Sequence, residues 1–111
     1  MKPVVFDSEA KAEFDAAASY YEGQQAGLGD GFAAEVEGAT RRVARLPHAF
    51  PTHPPSGLRK CVLRRFPYTL FFLEQDDRIW IAAVAHQRRR PGYWSHRKPD
   101  WRGGRKGDIQ L

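Results

Sequence analysis

Residues 68–85 read YTLFFLEQDDRIWIAAVA, two apolar runs separated by a short polar turn. Aromatic and β-branched side chains dominate both runs, and the turn at 75–78 predicts a β-hairpin between strands at 68–74 and 79–85. Both alternating sets of side chains are apolar in each run, which is typical of strands covered on two faces. The two strands are therefore predicted to lie at the centre of a sheet.

Two amphipathic helices are predicted upstream of this hairpin. The first is marked by apolar residues at helical spacing: Ala10, Phe14, Ala17 and Tyr21. The second carries a longer stripe of the same kind: Phe32, Val36, Ala39, Val43 and Leu46. Asp7 or Ser8 is the expected N-cap of the first helix and Asp30 that of the second. The glycine-rich turn between them makes the pair a helical hairpin.

Two further strands complete the predicted fold. The apolar run at 3–6 predicts an N-terminal strand, and residues 58–65 predict a strand between a proline-rich loop and the central hairpin. The fold class is therefore α+β: an antiparallel β-sheet with an N-terminal strand and a two-helix hairpin packed on one face. Because the helices cover one face only, we expect the other face to contact a partner or a substrate.

Length and composition limit the number of domains and the cellular location that the sequence predicts. A chain of 111 residues with 41% hydrophobic residues forms one domain, which we place at 1–97. The sequence from Ser95 onward has almost no apolar periodicity, so we expect it to be loosely ordered, with 98–111 as a basic tail. The first fifteen residues are too charged for a signal peptide, and no apolar window is long enough to span a membrane, so a cytoplasmic protein is expected.

The sequence predicts no metal and no cofactor. Cys61 is the single cysteine and is expected to be a small core residue. His48 and His53 lie on either side of four loop residues, without acidic or thiol companions at ligand spacing.

Charge is unevenly distributed along the chain. Residues 1–56 carry five Lys/Arg against eight Asp/Glu, a balance of −3, whereas 57–111 carry thirteen against five, a balance of +8. Such a basic half attracts nucleic acid, an acidic protein or an anionic surface, and charge alone does not choose among them. A merely solvated basic surface is the alternative.

Several short motifs follow one another along the chain: Leu58-Arg59, Phe66-Pro67-Tyr68, the run Ala83-Val84-Ala85-His86, and then Arg89, Pro91, Tyr93 and Trp94. In this order, over residues 1 to about 95, they resemble the RelE/ParE superfamily of bacterial toxins from type II toxin-antitoxin modules. The combination is most similar to the ParE-like branch, often called plasmid stabilisation proteins. The resemblance implies a cognate antitoxin as partner.

The superfamily resemblance implies two different activities. Some members cleave mRNA on the ribosome and need a base, an acid and cations around the scissile phosphate, without a metal. Here that set would come from four candidates: Lys60, His86, Arg89 and Tyr93. Other members inhibit DNA gyrase. The middle strand contains no Lys or Arg, and neutral Thr69 stands where the nuclease branch has an arginine, so gyrase inhibition is the preferred prediction.

Residues that would contact a partner are predicted after the last strand, at Arg88, Arg89, Arg90, Tyr93 and Trp94, and in the strand at 58–65, at Arg65. Arg64 and Arg65 are expected to point to opposite faces of that strand, so at most one of them belongs to a given site. His86 is also consistent with a hydrogen-bonded structural role, and Trp94 with a cover for the open edge of the core. A third functional alternative is an inactive family member that only binds its antitoxin.

Overall fold

The computed structural model describes residues 1–90 and 92–99. Its elements, in chain order, are β1 (Val4–Phe6), α1 (Ser8–Gln24), α2 (Leu28–Arg45), a 3₁₀ turn (Pro47–Ala49), β2 (Thr52–His53), β3 (Leu58–Val62), β4 (Tyr68–Glu74) and β5 (Ile79–His86). The predicted α+β class, with a helical hairpin on one face of a sheet, is confirmed. Apart from Lys98 and Pro99, the predicted basic tail lies outside the described residues.

The five strands form one mixed sheet in the order β1-β5-β4-β3-β2. The chain from β2 to β5 runs as an antiparallel meander, whereas β1 pairs in parallel with the first half of β5. The register between β4 and β5 shifts at Phe71/Phe72, where a bulge adds one residue to β5. The central position predicted for β4 and β5 is confirmed.

The helical hairpin covers one side of the sheet, here called the helix face. The stripe predicted for α1 lies in the core, where Ala10 and Ala17 are fully buried. Along α2, the predicted stripe is buried from Phe32 to Val43, whereas Leu46 is exposed because it is the C-cap and the helix ends there. Phe32 lies against aromatic rings from both layers: Phe14, Tyr21, Phe66 and Tyr68.

The start of α2 differs from the prediction. Its N-cap is Gly27, with φ of 88°, and Asp30 lies inside the first turn instead of capping it. The Glu22 carboxylate accepts hydrogen bonds from the amides of Gly27 and Gly29 at 2.9 and 3.0 Å, so a side chain of α1 satisfies two of the free donors. The capping group therefore comes from the preceding helix, and α2 begins earlier than Asp30 indicates.

The strand predicted at 58–65 ends at Val62. The amides of Arg64 and Arg65 both donate to Glu35 Oε2 of α2, at 2.6 and 3.1 Å, and this draws the chain out of the sheet into a turn. Arg64 and Arg65 therefore lie in a turn, and the prediction that they point to opposite faces of a strand is wrong.

The second side of the sheet, here called the open face, is partly covered by residues 92–97, here called the strap. Trp94 is buried on this face and stacks on Phe71 of β4 with ring centroids 4.1 Å apart. Arg97 is paired with the Glu13 carboxylate of α1 at 3.0 Å. The expectation that the chain is loosely ordered from Ser95 is therefore wrong for 95–97, because the Arg97–Glu13 pair, the contact of His96 with Glu9 and the hydrogen bond from the Ser95 amide hold them.

No helix among the described residues is long and apolar enough to cross a membrane.

Truncating two core residues on the helix face should lower the stability of the fold by different amounts. We expect Phe32→Ala to lower the free energy of unfolding by about 3–4 kcal/mol and Val43→Ala by about 1–2 kcal/mol, because each leaves a cavity in proportion to the volume removed. Urea unfolding followed by circular dichroism measures both. Arg41→Ala, on the exposed side of α2, is the control and should change stability by less than about 0.5 kcal/mol. Equal midpoints for all three variants would contradict this assignment of the core.

Candidate functional site

The carboxylate of Glu13, on α1, is the most connected polar group at the end of the sheet. It accepts a hydrogen bond from the Val84 amide of β5 at 3.0 Å and another from the Tyr93 hydroxyl at 2.6 Å. The Arg97 guanidinium binds both of its oxygens at 3.0 Å. Glu13 therefore joins the helix, the last strand and the strap at one point.

This junction is buried and ionised. The side chains of Glu13 and Arg97 are 15% and 5% exposed. Burial by itself raises the pKa of Glu13, but the hydrogen bonds from Arg97, Tyr93 and Val84 outweigh it and hold that pKa below its usual value. The pKa of Arg97 is raised, because pairing with Glu13 outweighs the opposing effect of burial. Both charges persist at neutral pH.

The polypeptide backbone explains why a carboxylate is needed at this position. β1 pairs with β5 only as far as Ile81, so beyond that point one edge of β5 has no neighbouring strand. Glu13 accepts from the free amide of Val84, and Arg97 donates to the free carbonyl of Ala82 at 2.9 Å. The ion pair thus replaces the missing strand and satisfies two buried backbone groups.

Between the strap and β3, the open face carries a groove of about 220 Å³, here called the open-face groove. It is lined by side chains from β3, β4, β5 and the segments that follow β5, among them Lys60, Thr69, Phe71, His86, Arg89 and Trp94. Three of the four residues predicted as nuclease candidates are therefore brought together here, and Tyr93 is not one of them.

Tyr93 lies in an adjoining cavity of about 210 Å³, here called the helix-side pocket, between α1 and the ends of β4 and β5. Its lining includes Ala16, Tyr20, Tyr68, Val84 and Tyr93. The hydroxyl of Tyr93 is engaged by Glu13, and its pKa is strongly raised by burial and by that hydrogen bond. His86 and Arg89 line both cavities and form the wall between them.

The imidazole ring of His86 is held by a backbone amide two residues further along the chain. Its Nδ1 accepts a hydrogen bond from the amide of Arg88 at 3.0 Å. In the neutral imidazole the other nitrogen, Nε2, then carries the hydrogen and is a donor. The ring also contacts Tyr68 edge to face, with centroids 5.1 Å apart. His86 therefore offers a hydrogen-bond donor to its surroundings.

The predicted partner-binding residues occupy different environments. Arg88 and Arg90 are exposed beyond the end of β5, and Arg65 is exposed in the β3–β4 turn with its guanidinium 5.4 Å from the Phe66 ring centroid. Trp94 is buried against Phe71, which agrees with its interpretation as a cover for the core. Arg89 and Trp94 thus line the open-face groove, whereas the Arg65 guanidinium lies near Gly31 of α2.

Among residues 1–90 and 92–99, no group of three or more His, Cys, Asp and Glu side chains has a geometry that would hold a metal ion. His48 is paired with Glu74 at 2.7 Å, and His53 Nδ1 lies 2.8 Å from the Ser56 hydroxyl.

A family model described as the ParE toxin of the type II toxin-antitoxin system parDE matches residues 4–91. The chain belongs to the ParE toxin family. It is a toxin of the type II toxin-antitoxin class, as the sequence motifs predicted.

The fold of this ParE-family chain is also found in a solved structure, described as the chromosomal ParDE TA system from P. aeruginosa. The two chains share 20% sequence identity with a TM-score of 0.57, and the likeness covers 78% of this chain and 96% of the other. A comparison with curated proteins finds no match. The structural likeness therefore supports the ParE-family fold.

Sequence analysis of this ParE-family chain missed Glu13 and Arg97. Glu13 lies beside the apolar stripe of α1, and Arg97 lies in a segment without periodicity, 84 positions later. No local pattern connects two residues so far apart. The sole available signal was an acidic residue next to the apolar stripe of Ala10, Phe14 and Ala17, on a helix expected to pack on the sheet.

The Glu13 junction predicts a large loss of stability on neutralisation. We expect Glu13→Gln to lower the free energy of unfolding by about 3 kcal/mol at pH 7, because it leaves the buried Arg97 guanidinium without its counter-charge. Urea unfolding followed by tryptophan fluorescence measures the change. Asp15→Asn is the matched control: it removes an exposed pair with Lys11 on the same helix and should cost less than about 0.5 kcal/mol.

The same junction predicts sensitivity to acid. The pKa of Glu13 is lower in the folded chain than in the unfolded chain, so its ionisation stabilises the fold above about pH 4.3. That contribution is lost as the pH falls through the folded-state pKa. Between about pH 5 and about pH 3, the wild type should therefore lose more stability than Glu13→Gln. Parallel pH profiles for the two proteins would show that Glu13 is not the titrating group.

Proposed function

We propose that this ParE-family toxin arrests bacterial growth by binding and inhibiting DNA gyrase, without cleaving a substrate, and that a cognate antitoxin neutralises it. The observation that carries the proposal is that the groups required for RNA cleavage are already engaged within the fold. Gyrase is the target that the resemblance to ParE implies.

The first engaged group is Tyr93. A phenol that acts as a general acid must deliver its proton to a leaving oxygen, and its pKa must lie near the working pH to do so. The Tyr93 hydroxyl instead donates to Glu13 at 2.6 Å, and its pKa is strongly raised. The hydroxyl thus holds the strap on α1 and has no proton to deliver into the open-face groove.

The second engaged group is His86. A general base needs a free lone pair directed at the attacking 2′-hydroxyl. Nδ1 of His86 accepts the Arg88 amide, so Nε2 is protonated in the neutral ring. In this tautomer the Nδ1 lone pair of His86 is occupied by the Arg88 amide, and Nε2 can donate to an anion.

The third point concerns charge on the floor of the open-face groove. A transferred phosphate accumulates negative charge in the transition state, and losing one donor to it costs about 10²–10³ in rate. The side chains of β4 directed at the open face are neutral: Thr69, Phe71 and Leu73. Lys60 and Arg89 supply cations at the sides only. The groove therefore favours binding over catalysis.

A second candidate function is ribosome-dependent cleavage of mRNA. It is favoured by one observation, that Lys60, His86 and Arg89 line a single groove although they lie on different strands and segments. A third candidate is an inactive member that binds only its antitoxin.

Two assays on the purified protein separate these functions. We expect the wild type to lower gyrase supercoiling and to leave mRNA on translating ribosomes intact. Tyr93→Phe and His86→Ala should then change gyrase inhibition only as far as they change binding to gyrase. Arg41→Ala is an exposed control on α2 and should behave as wild type in both assays.

Other outcomes would overturn the proposal. Codon-site cleavage by the wild type with undisturbed supercoiling, lowered by about 10² or more in Tyr93→Phe and His86→Ala, would establish the endonuclease. A folded protein that is inactive in both assays and does not arrest growth on induction would establish the inactive member.

A further inference from the structure

The open-face groove and the helix-side pocket meet at the end of β5, where they share His86 and Arg89 as a common wall. One cavity opens on the open face and the other beside α1, so Arg89 forms a ridge between them. A segment laid across this ridge would reach both cavities at once.

The Tyr93 ring and the Glu13 carboxylate position the Arg89 side chain, which remains accessible to solvent. Its guanidinium carbon lies 3.7 Å from the centroid of the Tyr93 ring, and its Nη1 is 3.9 Å from Glu13 Oε2. The side chain is nevertheless 56% exposed. Because the stacking and the nearby carboxylate limit its rotamers before any partner binds, less entropy is lost when it forms a new ion pair. Glu13 already pairs with Arg97 at a shorter distance, so the Arg89 guanidinium remains available for an ion pair with a partner.

Both cavities have apolar walls that suit apolar side chains. The open-face groove is bordered by Val62, which is exposed on β3, and by the rings of Phe71 and Trp94. The helix-side pocket is lined by Ala16, Ala17 and Val84, with Tyr20 at its rim. Tyr20 is 60% exposed, an unusual position for a large aromatic residue.

Charge around the ridge selects the partner. Arg88 and Arg90 are exposed on either side of Arg89, within the half of the sequence that carries a balance of +8. An acidic partner is therefore attracted. A peptide fits better than a nucleic acid because it can place an uncharged apolar side chain in the helix-side pocket, where the Glu13 carboxylate would repel a phosphate.

We infer that the end of β5 is a docking ridge for an acidic peptide segment, in which a carboxylate pairs with Arg89 and an apolar side chain on each side fills one of the two cavities. The inference rests on the proposed function only in taking the antitoxin to be the protein that supplies this segment. The arrangement predicts a recognition pattern of apolar, acidic and apolar residues in one contiguous stretch.

Selection from a random peptide library displayed on phage, with the full chain as bait, tests the pattern. Enriched peptides should carry Asp or Glu between two large apolar residues.

A synthetic peptide with the consensus sequence tests the ion pair. Its affinity for Arg89→Glu, measured by isothermal titration calorimetry, should be about 100-fold lower than for the wild type. The same peptide with its carboxylate residue replaced by Lys should bind Arg89→Glu about tenfold more tightly than the acidic peptide does. Arg64→Glu, the same charge change at an exposed turn position, should leave affinity within about threefold.

Filling the cavities tests the apolar part of the pattern. Ala16→Phe should block the helix-side pocket and lower peptide affinity about tenfold, whereas Ala12→Phe, exposed one turn earlier on α1, should not. Val62→Trp should block the open-face groove to a similar extent, with Leu46→Trp as its exposed control at the end of α2.

These measurements are independent of gyrase. Peptide binding as described, together with undisturbed supercoiling, would overturn the proposed target and leave the docking ridge intact. Enriched peptides without the acidic centre, or affinity unaffected by Arg89→Glu and Ala16→Phe, would overturn the ridge. So would Arg89-dependent binding of a single-stranded RNA oligonucleotide that displaces the peptide, since the occupant would then be nucleic acid.

Discussion

The ion pair between Glu13 and Arg97 is the interaction on which the end of this domain depends. A helix, a strand and a C-terminal segment meet there around two charges that are almost out of contact with water. Buried ionised groups are tolerated when they are paired and hydrogen-bonded, and here the backbone of β5 supplies two of the partners. The strap then lies where Trp94 can stack on Phe71, and the two cavities exist because the strap is held there.

The elements that could be predicted are those with a clear hydrophobic periodicity in the sequence. The apolar stripes of α1 and α2 and the doubly apolar strands β4 and β5 each specify a buried surface within a few residues. β2 escaped prediction because Thr52–His53 is two residues long and lies among prolines. The early start of α2 and the early end of β3 depend on the carboxylates of Glu22 and Glu35, which reach backbone amides in other parts of the chain. Such contacts leave no local pattern.

The candidate site was predicted in composition but not in arrangement. Lys60, His86 and Arg89, which the family resemblance had grouped as candidates, line one groove. Tyr93 was placed with them by its position in sequence, and the structure places its hydroxyl on the other side of the His86–Arg89 wall. The same tyrosine stacks on Arg89, so a residue chosen for acid–base chemistry instead orients a cation. The structure therefore assigns the Tyr93 hydroxyl to the Glu13 junction and its ring to Arg89.

The unpaired stretch of β5 has a consequence for assembly. Exposed strand edges are templates for other chains, and proteins protect them with charges, bulges or covering segments. Along 82–84 the edge of this sheet is occupied by side chains in place of a strand, and a bulge lies at the same point. Any polypeptide that tried to lengthen the sheet from this side would have to expel a buried ion pair first. The domain is thereby protected against self-association through this stretch of β5.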